Sequence, residues 1–231
     1  MRRLTVTCAG LLLALGFAAS ANASPITYEL SAVASGRVGG TTFTDKLVTF
    51  TGTGDTDNAI QLSDPELQGN IAYANGFTTF MVNIQDVGTA ALTEPSEIFG
   101  LPQAIIDPDN EIPPLPIVIF GRLDDPTKLG DFTGVGAVGS DLLAGYNLKT
   151  SIGPITGVGG IGFNPNCGVG FNDSCVQTTL GLMTFTTNDF NADGRATFTA
   201  RTAPVPEPAT LVLMGAGLVA LRRRSRVRTR A

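Results

Sequence analysis

Residues 189–194 read Asp-Phe-Asn-Ala-Asp-Gly. Oxygen donors at positions one, three and five, with a glycine at six for the sharp turn, form the opening half of a calcium loop, with Asp189, Asn191 and Asp193 as its ligands. The second half does not follow, because position twelve is Ala200, where a bidentate carboxylate belongs. A polar hairpin turn between two strand-like runs explains the same residues, and both readings stand. An acidic loop such as Asp55-Thr56-Asp57 or Asp107-Pro108-Asp109 would complete the ligand set if it folded nearby. Calcium is the one cofactor that the sequence offers; otherwise none is expected.

The mature cysteines are Cys167 and Cys175, at the two ends of Cys-Gly-Val-Gly-Phe-Asn-Asp-Ser-Cys. In an exported chain such a pair reads as a disulfide. Closing so short a loop contributes about 2.6 kcal/mol on the chain-entropy account, enough to staple a turn. A redox or metal role would want a closer C-x-x-C pair, and Asp173 beside Cys175 works against a stabilised thiolate. The chain has no histidine, so Ser-His-Asp and Cys-His nucleophile systems and imidazole-ligated zinc are excluded. Glycoside hydrolysis needs only two carboxylates at a set separation. Asp124-Asp125 and Glu94 with Glu97 supply pairs, but no aromatic platform or arginine marks a sugar subsite around them, and they read as solvated charge. Lys149 and Ser151 share a strand face by parity alone. The sequence therefore predicts no enzyme.

Over residues 24–203 there are seven Lys and Arg against nineteen Asp and Glu, a net charge of −12, although the whole chain is only −5. Nucleic acid is excluded as a partner, since neutralising phosphates needs the opposite sign. Tryptophan is absent, tyrosines number three and glycines 28, the composition of a Gly/Thr-rich secreted β-protein.

Any site must be held by strands. Ile26 to Ala32, Lys46 to Thr53 and Arg195 to Arg201 alternate apolar and polar with period two, as strands with one buried face do. Phe77 to Val87 and Ile117 to Leu123 are more continuous apolar runs suited to central strands. Val176 to Thr187 reads as one further strand with Leu180, Leu182 and Met183 inward. Gly39-Gly40, Gly52-Thr53-Gly54-Asp55, Asn75-Gly76, Gly159-Gly160 and Asp193-Gly194 punctuate as turns. Pro102, Pro108, Pro113, Pro114 and Pro116 make an acidic, extended loop, and Ser140 to Gly145 a short helix or tight turn. Helical periodicity is nearly absent. The fold predicted is all-β, a β-sandwich or jelly roll, as one domain over residues 24–203.

The two ends are of another kind. Residues 1–23 carry Arg2-Arg3, an apolar stretch from Cys8 to Ala19, and Ala21-Asn22-Ala23, the order of a cleavable signal peptide that leaves Ser24 first. At residues 204–231, Pro204, Pro206 and Pro208 keep the chain extended up to a helix start near Ala209 or Thr210. Leu211 to Leu221 is apolar without a break, and six arginines follow between Arg222 and Arg230. Thr210 to Leu221 as a helix is about 18 Å long against about 30 Å of hydrocarbon, a marginal anchor that arginine snorkelling helps to seat. The arginines set its orientation, tail to the cytoplasm.

Val-Pro-Glu-Pro-Ala-Thr-Leu, a short Leu/Gly/Ala-rich helix and an arginine cluster, in that order, resemble the PEP-CTERM sorting tail. The body is similar to uncharacterised proteobacterial proteins of that group, through Ile-Thr-Tyr-Glu-Leu-Ser-Ala-Val-Ala-Ser-Gly and Tyr-Asn-Leu-Lys-Thr-Ser-Ile-Gly-Pro. The resemblance implies recognition of Pro206, Glu207 and Pro208 by an exosortase, a membrane-embedded thiol transpeptidase of Gram-negative bacteria that make exopolysaccharide. It implies a transient inner-membrane anchor at Leu211 to Leu221, with Arg222, Arg223 and Arg224 as the stop. Export machinery and the inner membrane are then partners of the precursor, and the cell surface or extracellular matrix is its destination. Function is expected to be non-catalytic and exopolysaccharide-associated, with a calcium-stabilised carbohydrate-binding module or adhesin as the alternative and a glycan-active hydrolase as a third reading.

Overall fold

The computed structural model describes residues 24–63, 71–93, 95–101, 115–123, 132–162, 176–186 and 195–203. In its first strand, β1 (Pro25–Val38), the even positions turn inward: Ile26, Tyr28, Leu30, Ala32 and Ala34 are buried and their neighbours are not. The long strand β2 (Thr41–Asp55) pairs with it antiparallel over nearly its whole length, after a turn at Gly39-Gly40. The last strand, β13 (Arg195–Thr202), lies on the other side of β1, with Phe198 opposite Leu30. The first and last strands of the domain are therefore neighbours in its centre.

The remaining described strands are β3 (Ile60–Ser63), β4 (Ile71–Gly76), β5 (Thr79–Ile84), β6 (Gly88–Ala91), β7 (Glu97–Leu101), β8 (Ile117–Leu123), β9 (Phe132–Gly139), β10 (Ile152–Ile161), β11 (Val176–Thr178) and β12 (Gly181–Phe185). All pairings are antiparallel, in the order β3-β4-β7-β8-β9-β10-β13-β1-β2-β5-β6, with the β11–β12 hairpin added on β1. The sheet folds back on itself as a sandwich. Phe120 of β8 meets Phe80 of β5 with ring centroids 6.0 Å apart and Phe198 of β13 at 6.1 Å. Antiparallel strands joined by short connections need one apolar face each, and folding a single sheet over itself buries those faces together.

One end of the sheet closes. Beyond β6, Leu92 bridges to Thr178 of β11, Thr93 N–H donates to Gln177 O at 3.0 Å and Thr179 N–H to Ala91 O at 2.9 Å. Strands β1, β2, β5, β6, β11 and β12 thus form a ring, filled by Phe43, Phe50, Val82, Met183 and Phe185. Phe185 stands edge-on to both Phe43 and Phe50, at 6.2 and 6.3 Å.

The structure corrects several turn assignments. Gly52 and Gly54 lie inside β2 rather than in a turn. A Cβ on Gly52 would fall 2.3 Å from the Phe77 ring, so glycine is there to let an aromatic side chain lie on the strand. Gly159-Gly160 is likewise interior to β10, which also runs through Gly153-Pro154 at an irregularity between Ile152 and Ile155. Gly159, at φ +150°, lets the backbone pass against Ala137 O, where a Cβ would come to 2.1 Å. Asn75-Gly76 closes β4 as a strand end. The run Val176 to Thr187 is not one strand: Thr179-Leu180 turns between β11 and β12, Met183 is buried, and Leu180 and Leu182 face solvent. Ser140 to Gly145 does contain the expected helical turn, Asp141–Leu143, with Ser140 as its cap. The Pro-rich loop from Pro102 to Pro114 lies outside the described residues.

Candidate functional site

The chain enters and leaves the domain at one place. Ile26 is opposite Thr202, and Ala203 N–H donates to Pro25 O at 2.8 Å. Ser24 is held on the other side, its N–H donating to Thr56 Oγ1 and its carbonyl accepting from Thr56 N–H, both at 3.1 Å. Thr56 opens the single helical turn Thr56–Asn58, capped by Asp55, whose Oδ1 accepts Asp57 N–H at 2.9 Å. Across β13, Ser151 Oγ accepts Thr202 N–H and bonds Thr202 Oγ1, each at 2.9 Å. Ser151 is engaged with Thr202 rather than with Lys149.

Beneath this end runs a buried polar chain. Asn75 Nδ2 donates to Tyr28 Oη at 2.7 Å and to Asp55 O at 3.0 Å, and Tyr28 O–H donates to Leu148 O. Burial raises the Tyr28 phenol well above its ordinary range, an effect that the Asn75 hydrogen bond partly offsets. Tyr146, whose O–H donates to Thr150 O at 3.1 Å, is raised by burial and then by the neighbouring Tyr28. Both rings stay neutral donors at physiological pH. Glu97, half-buried opposite Gly76, is raised by burial. Sequence reasoning missed this cluster; the available signal was Tyr28 on the inward parity of its strand, where a hydroxyl must find a partner.

Asp189, Asn191 and Asp193, the pair Cys167 and Cys175, the motif Pro206, Glu207 and Pro208, and Arg222, Arg223 and Arg224 all lie outside the described residues, as do Glu94, Asp124 and Asp125. Among the described residues no three His, Cys, Asp or Glu side chains converge on a metal position, and no helix is long and apolar enough to cross a membrane. Asp55 and Asp57 are both at the domain end, in the cap just described.

The architecture is that of an antiparallel β-domain whose last sheet residue leads straight into a proline-framed tail, the class of protein that carries its sorting signal behind its folded part. Residues 204–226 match the family model of the PEP-CTERM protein-sorting motif, so the tail of the chain is similar to that motif. The motif indicates export and exosortase-type sorting in a Gram-negative bacterium. No curated protein and no solved structure matches the chain.

Proposed function

We propose that this is a non-catalytic protein of the cell surface or extracellular matrix, delivered as a folded β-domain and processed at its tail by an exosortase, with exopolysaccharide as its surroundings. The observation that carries the reading is a boundary: the sorting motif begins at residue 204, and the residue before it makes the last hydrogen bond of the sheet. Processing at Pro204 or beyond then leaves all of β13 in place, and the released product is a complete domain. Proline at 204, 206 and 208 brings no backbone donor to those positions and favours an extended conformation, which would suit recognition of Glu207 by a protease.

In this reading Pro206, Glu207 and Pro208 are the recognition element, the apolar run after them is a transient anchor, and Arg222, Arg223 and Arg224 are the stop. Cys167 and Cys175 form a local disulfide. The domain needs no cofactor, so chelation with EDTA leaves its melting temperature unchanged; a rise in melting temperature on adding calcium would instead assign Asp189, Asn191 and Asp193 as ligands.

Intact mass and membrane partitioning of the protein from its host test the proposal against Glu207→Ala. The expected result is loss of residues 1–23 and of the arginine tail in the wild type, with the variant full-length at its tail and membrane-bound. Retention of the arginine tail by both would overturn exosortase processing.

A further inference from the structure

The outward face of the central strands is built mainly from short uncharged side chains in register. Thr156 of β10 is opposite Thr197, Thr197 opposite Ser31, Ser31 opposite Thr49, Thr49 opposite Asn83, and Asn83 opposite Thr89 of β6. This row crosses six strands without interruption, and every member is exposed or partly exposed. The next rows continue it, with Thr199, Glu29, Thr51 and Met81 in one and Arg201, Thr27, Thr53 and Thr79 in the other. On the far side the field ends at the exposed pair Val33 and Leu47.

Strand geometry fixes the spacing of this array, about 4.8 Å from strand to strand and about 6.7 Å along each strand. The row's outer members bond one another, Thr156 to Thr197 at 3.0 Å and Asn83 Nδ2 to Thr89 Oγ1 at 2.6 Å. The central hydroxyls of Ser31, Thr49, Thr51 and Thr53 have no partner among the described residues. Each can donate and accept at once. Threonine is stiff about χ1, so ordering these side chains against a ligand loses little entropy.

Charge selects the ligand. A domain of net charge −12 repels an anionic polymer, yet this face carries only Glu29 and Arg201 within its three rows, and they are of opposite sign. A neutral ligand meets no penalty here. Threonine offers a methyl and a hydroxyl side by side, as a sugar ring offers C–H faces and O–H edges. We propose that this face docks a neutral polysaccharide chain, held by hydroxyl-to-hydroxyl hydrogen bonds from β13, β1 and β2. The idea rests on the surface-protein reading given above and names the surface and the chemistry that would serve it. The large aromatic side chains of these strands, such as Phe50 and Phe198, are buried on the opposite face, so binding proceeds without ring stacking and is weak per chain contact.

The test is retention of the full chain, as exported by its host, on microcrystalline cellulose, insoluble β-1,3-glucan and cross-linked dextran. The wild type is expected to be retained on at least one of them. Ser31→Ala with Thr49→Val is expected to lower the retained fraction at least fivefold at an unchanged melting temperature, whereas Thr49→Ser with Thr51→Ser, which keeps the hydroxyls, retains it. If the first pair shifts the melting temperature, Thr51→Val is scored in its place. The proposal is overturned if no polysaccharide retains the wild type, if the hydroxyl-free variants bind as well as it does, or if their only effect is to abolish self-association, which would make the face a contact between copies. An unprocessed tail in the same preparation would count against the sorting reading alone, since retention is scored independently.

Discussion

Ala203 and Pro25 are joined by a backbone hydrogen bond of 2.8 Å, which makes the two ends of the folded domain neighbours and sets where the sheet stops. Because β13 lies between β10 and β1, it is an interior strand whose loss would split the sheet. A chain ending at Ala203 is therefore expected to melt at the same temperature as the untruncated domain. One ending before Arg195 is expected not to fold. Circular dichroism melts of the two truncations check this, and a cooperative transition in the shorter one would contradict the assignment of β13 as the central strand. Within β13, Phe198→Ala removes a fully buried ring packed on Phe120 and Tyr146 and is expected to cost about 3–5 kcal/mol by urea unfolding.

Tyr28 joins Asn75 to Leu148 across two layers of the sandwich. Tyr28→Phe keeps the ring and deletes the hydroxyl, leaving Leu148 O without its donor and Asn75 Nδ2 with Asp55 O alone. The expected loss is about 1–3 kcal/mol, the cost of a buried polar group left unmade. Asn75→Ala also weakens the domain, and the double variant is expected to lose less than the sum of the two, since both remove one bond. Additive losses would show that the cluster is not a unit.

Glu97 gives the domain a pH dependence of known sign. Burial raises its folded-state value above the ordinary 4.5, so the folded protein holds this proton more tightly than the unfolded chain. Its contribution is therefore favourable at low pH and is lost as pH rises from about 4.5 through the raised value. Glu97→Gln removes that loss. Melting temperatures measured from pH 4 to pH 7 are expected to converge at the acid end and to favour the variant at neutral pH; a wild type that gains on the variant as pH rises would contradict the desolvated position of this carboxyl.

Much of this architecture was legible in the sequence wherever one face of a strand is buried. Ile26 to Ala32 and Arg195 to Arg201 alternate, and they are β1 and β13 with the even positions inward; Ile117 to Leu123 is β8 to the residue. Glycine was the source of error. Gly52 and Gly159 read as punctuation, but the sheet places them where a neighbouring ring or backbone leaves no room for a Cβ, a constraint set by tertiary contact and invisible along the chain. Leu180 and Leu182 read as core for their apolarity, and a two-residue turn reverses the strand and exposes them. The sorting tail was legible because its signal is linear, an ordered series of residue types that needs no fold to be recognised.

The β11–β12 hairpin closes the ring by covering the end of β6, and Met183 is its inward anchor, 1 % exposed. An open β6 edge would present unpaired backbone groups to another chain; the bonds from Thr93 to Gln177 and from Thr179 to Ala91 occupy them instead. Met183→Ala is expected to cost about 2–5 kcal/mol, but the loss should be local before it is global. Hydrogen exchange at Thr93 and Thr179 is expected to accelerate while the amides of β1 and β13 stay protected. The same variant is expected to self-associate at concentrations where the parent is monodisperse, as sedimentation velocity would show. Uniform exchange across all strands would mean that the ring and the sandwich open as one unit, and that the hairpin is part of the core rather than its latch.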